Sequence, residues 1–266
     1  MITRFDHAVI AVRDLAAALG QFRRLGFDGR PGGRHTGRGT ENAIVRFGLD
    51  YIELISVYDR PEARQSGWGG AALVDYLDEH DGGFVGFCLA TDNIEGSAEA
   101  LKTRLPGTQG PLDMQRRRPD GEVLRWRLAI PGRSPWLSSY PFLIEWAMPD
   151  SERLALETPG SHENGAGGVR RLTISVPEEE LEWIRALYGD TLQLHEEATR
   201  AFQLGSFSVD LVAGESAGPS HLVIAVKDLS AAGRLLEARS VGATLREGAL
   251  WIDPAASCGA PIALVS

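Results

Sequence analysis

The chain writes one strand-turn-helix twice. "FDHAVIAVRDLAAALGQFRRLGF" begins at Phe5 and "SHLVIAVKDLSAAGRLLEARSVG" at Ser220. With His7 set over His221, His, Val, Ile, Ala, Val, Asp, Leu, Ala and Ala recur in register. Duplication constrains a fold strongly, because each copy must form the same unit and bury its apolar face on its neighbours. "HAVIAV" alternates as a half-buried strand does. Asp14 stands where a helix N-cap belongs, and Leu15, Ala18, Leu19 and Phe22 make one apolar stripe. Gly26 sits where a left-handed cap closes a helix. Three strand candidates follow, the last being "YIELISV" at 51–57. The unit is βαβββ.

A second unit opens with "GFVGFCLATDNIEGSAEALKTRL", capped at Asp92 or Asn93, with Ile94, Ala98 and Leu101 as its stripe. It closes with "LRWRLAI" and "PFLIEW". A third runs from "RRLTISV" through "EEELEWIRALYG" to "FSVDLVAG", and a fourth from "HLVIAV" to "PIALVS". The stretch 148–168 is rich in Gly, Pro and charge and reads as a connection. The expected fold is α+β: four βαβββ units paired into two cup-shaped mixed sheets with helices on the outer faces. The first domain is expected over 1–150, a linker over 151–167 and a second domain of shorter units over 168–266.

Composition narrows the partners. A formal charge of −9 and a pI of about 5.2 disfavour a nucleic-acid backbone or an anionic membrane surface. Arg116, Arg117 and Arg118 form a short basic run without interleaved aromatics, which reads as a solvated loop. No stretch approaches the roughly 20 apolar residues that span a bilayer. After "MITR" the sequence reads straight into a strand, so no signal peptide is expected, and Cys88 and Cys258 read as fillers in a reducing cytoplasm. A small-molecule ligand, and a monomer or homodimer, is the expectation.

The segments "FDHAVIAVRDL", "GGRHTGRGTENAIVRFG" and "LDYIELI" resemble the vicinal oxygen chelate superfamily, and in particular its glyoxalase-like domain branch. The resemblance extends over essentially the whole chain, strongest at 5–57 and 120–147. It implies two βαβββ units per cup and a divalent ion held by side chains of the first and last strand of each unit. Zn, Mn, Fe, Ni or Mg would serve.

Strand alternation tests this implication directly. If Ala8, Ile10 and Val12 lie under the helix, His7 points into the cleft. By the same reasoning Ile52 and Leu54 go under the helix and Glu53 faces the cleft. Phe142, Ile144 and Trp146 go under and Glu145 faces in. Gly86 takes the place where a second His would stand. The third and fourth units offer Arg171, Asp210, His221 and Ala263, a poor cation site in which Arg171 and Asp210 can pair. The first cup is therefore the expected site. His7, Glu53 and Glu145 would bind the ion, and Glu145, or Glu53, would carry a proton. A hydrogen-bonded polar floor in a metal-free cleft is the other reading of the same three residues.

Arg125 and Arg127 alternate with Leu124, Trp126 and Leu128, so the two guanidinium groups are expected in the cleft, gripping an acidic substrate group. The Gly-rich segment before the third strand carries His35, Thr40, Glu41 and Asn42. It reads as a rim loop, with His35 and Asn42 as substrate contacts or His35 as a plain surface residue. His80 reads as a helix-end residue and His195 as exposed; His162 lies in the connector. The function expected is a glyoxalase-like isomerase or lyase, metal-assisted, for a substrate with adjacent oxygens and an acidic group. The alternatives are a metal-free binding protein of the bleomycin-resistance type, which the tryptophans of "SGWGG" and "RSPWLSSY" suit, and an iron-dependent ring-cleaving dioxygenase.

Overall fold

The computed structural model describes residues 1–67, 69–132 and 134–266; Trp68 of the "SGWGG" loop lies outside the described residues. The first unit comprises β1 (Ile2–Val12), α1 (Leu15–Arg24), β2 (Gly29–His35), β3 (Thr40–Arg46) and β4 (Tyr51–Val57). An inserted pair, α2 (Arg60–Gln65) and α3 (Gly70–Glu79), precedes the second unit. That unit is β5 (Gly82–Thr91), α4 (Ile94–Arg104), β6 (Gln109–Arg117), β7 (Val123–Ile130) and β8 (Phe142–Trp146). After α5 (Asp150–Leu156) come β9 (Ala166–Val176), α6 (Leu181–Ala186), β10 (His195–Ala198), β11 (Ala201–Leu204) and β12 (Phe207–Ala213). The last unit is β13 (Gly218–Val226), α7 (Leu229–Ala238), β14 (Ala243–Arg246), β15 (Ala249–Ile252) and β16 (Ile262–Val265).

The duplicated start is visible in the caps. Asp14 accepts from Ala17 N at 2.9 Å, and Asp228 accepts from Ala231 N at 2.9 Å. Asn93, of the two candidates, caps α4 through Gly96 N.

The four units pair as expected, but the two sheets differ. The first closes into a barrel in the order β1, β4, β3, β2, β6, β7, β8, β5. The second stays open in the order β10, β11, β12, β9, β13, β16, β15, β14. One apolar core joins Ala8 and Ile10 of β1 to Phe22 of α1 and runs on to Leu172 and Ile224 of the second sheet. Phe5 stacks on Phe207 across the two halves at 4.3 Å. A second apolar cluster fills the barrel, where Val9, Trp126, Leu128, Phe142 and Ile144 meet Leu73 and Leu77 of α3. The inserted helices thus pack on the barrel's interior cluster rather than on an outer face. No helix among the described residues is long and apolar enough to cross a membrane.

The connector is more than a loop. It forms α5 and carries Arg153 and Glu157 into the interior, the former 0% and the latter 9% exposed.

Candidate active site

β1 and β4 run parallel, with Val9 opposite Glu53 and His7 opposite Tyr51. Ile52 and Leu54 lie in the outer core, while Tyr51, Glu53 and Ile55 line a cavity inside the barrel together with His7. Tyr51 stacks on the His7 ring at 4.5 Å. The β1–β5 ladder slips between Phe5 and His7. This bulge re-aims Asp6, which strict alternation would send to the face opposite His7. Asp6 instead lies beside it, with Oδ1 2.8 Å from His7 Nδ1.

These contacts open a buried ring. His7 Nε2 is 3.5 Å from Glu53 Oε2. Asn42 Nδ2 donates to Glu53 Oε1 at 2.5 Å, and an Arg116 terminal nitrogen donates to Asn42 Oδ1 at 3.4 Å. Arg116 also donates to Glu157 Oε1 at 2.6 Å. Glu157 Oε2 faces Arg153 Nε at 3.7 Å, and Arg153 returns to Asp6 Oδ2 at 3.2 Å. Arg4 and Trp146 Nε1 also donate to Asp6, at 2.5 and 3.0 Å, and Arg46 donates to Glu157 at 2.6 Å. Burial opposes the charge of Asp6. Arg153, the His7 hydrogen bond and Arg4 overcome it and hold the carboxyl well below its ordinary value. An ionised Asp6 fixes the His7 tautomer: Nδ1–H donates to the carboxylate, and Nε2 is left as the basic atom beside Glu53.

The sequence expectations for β7 and β8 are corrected here. Glu145 is not in the cavity. Its Oε1 accepts from Ile94 N at 3.3 Å at the start of α4, and its Oε2 pairs with Arg127. Arg127 also pairs with Glu95 on the outer surface, and Arg125 is exposed. On β7 and β8 it is Trp126, Leu128, Phe142, Ile144 and Trp146 that line the cavity. The parity is inverted because the closed barrel encloses an apolar cluster of its own. The most apolar face therefore points inward, and α4 covers the smaller Ala129 and Leu143. A carboxylate at the first turn of α4 also suits the helix dipole. The basic run is corrected as well, since Arg116 is 3% exposed and lines the cavity.

His35 and Asn42 do line the cavity, and His35 is buried rather than on the surface. His35 Nδ1 shares a hydrogen bond with Thr40 Oγ1 at 2.9 Å, and its Nε2 is 3.7 Å from Glu53 Oε1. His162 bridges Asp28 N and Arg46 O, both at 2.9 Å. His80 caps α3 and His195 is exposed. In the second sheet Arg171 pairs with Asp210 at 3.3 Å, while His221 meets Thr173 Oγ1 at 3.0 Å and packs on Trp251.

The residues present do not fit the expected ion. The third ligand is on the other face of the sheet. The place of a fourth, at Gly86, is covered: a Cβ there would lie 2.8 Å from Pro135 O and 3.1 Å from Trp136. Among the described residues no group of three or more His, Cys, Asp and Glu converges as a metal site. The loop that covers Gly86 is tied to both halves. Trp136 Nε1 donates to Gly69 O at 2.9 Å, Leu137 N to Val85 O at 2.6 Å and Ser139 Oγ to Ser175 O at 2.9 Å. The fully buried Tyr188 hydroxyl donates to Ser139 O at 2.9 Å.

His35 supplies a pH test. Burial, opposed by Glu53 and aided by Arg116, His7 and Arg38, lowers its pKa from 6.5 to about 4. Its folded value is below the unfolded one, so the unfolded chain binds more protons between these limits. Stability is therefore full above about pH 6.5 and falls as pH drops to about 4, by something of the order of 3 kcal/mol. Urea unfolding at pH 7 and pH 4.5 is expected to show this loss, and His35→Gln to remove most of it.

No curated protein matches the chain. Solved structures do. A hypothetical protein from Staphylococcus aureus aligns with a TM-score of 0.73 at 18% identity, over 99% of each chain. A mutant of 4-hydroxymandelate synthase from Streptomyces coelicolor aligns at 0.59 and 12%, over 99% of this chain and 92% of that one. A xylose isomerase-like TIM barrel/4-hydroxyphenylpyruvate dioxygenase fusion protein aligns at 0.56 and 14%, and the chain spans 48% of its length. At these identities the likeness is one of fold, that of vicinal oxygen chelate proteins. A family model described as a glyoxalase-like domain matches residues 5–188. With that match spanning most of its length, the chain belongs to the glyoxalase-like domain family.

Proposed function

We propose that the barrel of the amino-terminal half is the active site of a small-molecule enzyme, an isomerase or lyase working by proton transfer. The observation that carries this reading is the line Asp6–His7–Glu53 opening onto an aromatic-walled cavity. His7 Nε2 takes the proton of a carbon acid, and the electron pair of the C–H bond moves into the adjoining carbonyl. Glu53, 3.5 Å away, carries the proton that is returned at the same or a neighbouring atom, or to a leaving group. Metal assistance through His7, Glu53 and Glu145 is not part of this proposal.

The aromatic walls favour one second reading, a binding protein that sequesters an apolar compound. Proton exchange separates the two. A panel of 2-oxo acids, 1,3-dicarbonyl compounds and β-hydroxy ketones, incubated with the protein in D2O and followed by proton NMR, is expected to give catalysed deuterium uptake in at least one member. Glu53→Gln is expected to abolish it. Saturable binding without exchange anywhere in the panel would support sequestration instead.

A further inference from the structure

The cavity has a volume of about 710 Å³, its open mouth included. Its walls are flat. Trp126 and Trp146 lie 5.3 Å apart, and Trp136 meets Phe142 edge-on at 6.1 Å. Tyr51 completes the lining beside His7. Flat walls of this kind bind planar π-systems by offset or edge contacts.

The charged groups of the lining are two guanidinium groups, Arg38 and Arg116, and one carboxylate, Glu53. Burial keeps His35 neutral near pH 7. The balance favours an anion over a cation, although aromatic walls alone would suit a cation well. Arg116 adds a specific mark. Its terminal nitrogens hold Asn42 Oδ1 and Glu157 Oε1, while its Nε has no hydrogen-bond partner among the described residues. Three buried side-chain atoms share that condition there, the others belonging to Arg153 and Arg200, and only Arg116 lines the cavity. A buried N–H without an acceptor is costly, and an oxygen supplied by a ligand removes that cost. Asn42 links Arg116 to Glu53, so an oxygen held at Arg116 lies one residue from the acid–base pair.

We infer that the barrel takes a planar aromatic molecule bearing a carboxylate or an equally charged oxygen. The ring lies among the tryptophans, the oxygen accepts from Arg116 Nε, and the carbon beside it faces His7 and Glu53. This rests on the proposed function for the role of those two residues, but the binding claim can be tested apart from it.

Three probes separate the parts: 2-naphthoate, 2-naphthylmethylammonium and cyclohexanecarboxylate, titrated into the full chain with tryptophan fluorescence and calorimetry as readouts. 2-Naphthoate is expected to bind saturably at one site, at least tenfold more tightly than either of the others. Arg116→Gln, checked for folding by circular dichroism, is expected to erase the preference for the anion. Where that variant fails to fold, the ranking of the three probes on the native chain decides alone. Equal or tighter binding of the ammonium, equal binding of the non-aromatic acid, or no binding of 2-naphthoate each overturns the inference. Binding of 2-naphthoate by a native chain that exchanges no deuterium with any member of the carbonyl panel would sink the catalytic reading and leave this one standing.

Discussion

Arg153→Ala is expected to destabilise the protein by about 3–5 kcal/mol, since removing one partner of a buried ion pair strands the other. Arg153 and Asp6 are both 0% exposed, and the guanidinium donates to Asp6 Oδ2 at 3.2 Å. It also lies 3.8 Å from the centre of the Trp146 ring and faces Glu157 at 3.7 Å. Truncation leaves Asp6 with Arg4, His7 and Trp146 Nε1 and opens a void against the Trp146 ring. For a chain of this length, the loss corresponds to a fall in Tm of roughly 10 °C. Lys102→Ala, which breaks only the exposed 3.6 Å contact with Glu99, is the control and is expected to stay within about 0.5 kcal/mol. Equal melting of the two variants would mean that the buried ring contributes nothing net. The ring also gives acid unfolding a definite sign. The folded pKa of Asp6 is depressed, so its contribution is present above the ordinary aspartate value and is lost as pH falls through the folded one.

The repeat made the architecture legible because duplicated caps and alternation are local signals. Asp14 and Asp228 cap equivalent helices, and the parities of β1 and β4 hold. The failures at Glu145, Arg125 and Arg127 have one cause. Alternation tells which residues share a face, not which face meets the larger apolar cluster. In β1 the helix-facing set was also the more apolar, so the two questions had one answer. In β7 and β8 the barrel interior is the more apolar side, so Glu145, Arg125 and Arg127 went outward. Asp6 was hidden by a bulge that no pattern in "FDHAV" announces, although an acid directly before the one inward His was the available clue. Arg153 and Glu157 lay in a connector whose composition is that of a loop. Their i, i+4 spacing on "SERLALE" was the signal of a short helix with one charged face turned inward.

The catalytic reading stands or falls on which nitrogen of His7 is basic. Asp6→Asn is expected to cut the proton-exchange rate by about 10²–10⁴-fold while leaving 2-naphthoate binding nearly unchanged. An ionised Asp6 can only accept, so it holds the Nδ1–H tautomer. An Asn amide can donate instead, which turns Nδ1 into the acceptor and places the proton on Nε2, where the base is needed. In the serine-protease triad the same exchange costs about 10⁴ in rate for the same reason. Asp6→Asn also leaves Arg153 and Arg4 facing a neutral group, so its Tm must be measured beside its rate. Glu53→Gln separates the effects, because it is isosteric, lies 3.5 Å from Nε2 and does not touch Arg153. A folded Asp6→Asn that keeps its exchange rate within about threefold would show that His7 Nε2 is not the base. The aromatic cavity would then be left with a binding role alone, because the line from Asp6 through His7 to Glu53 is the feature that distinguishes a catalyst here from a receptacle.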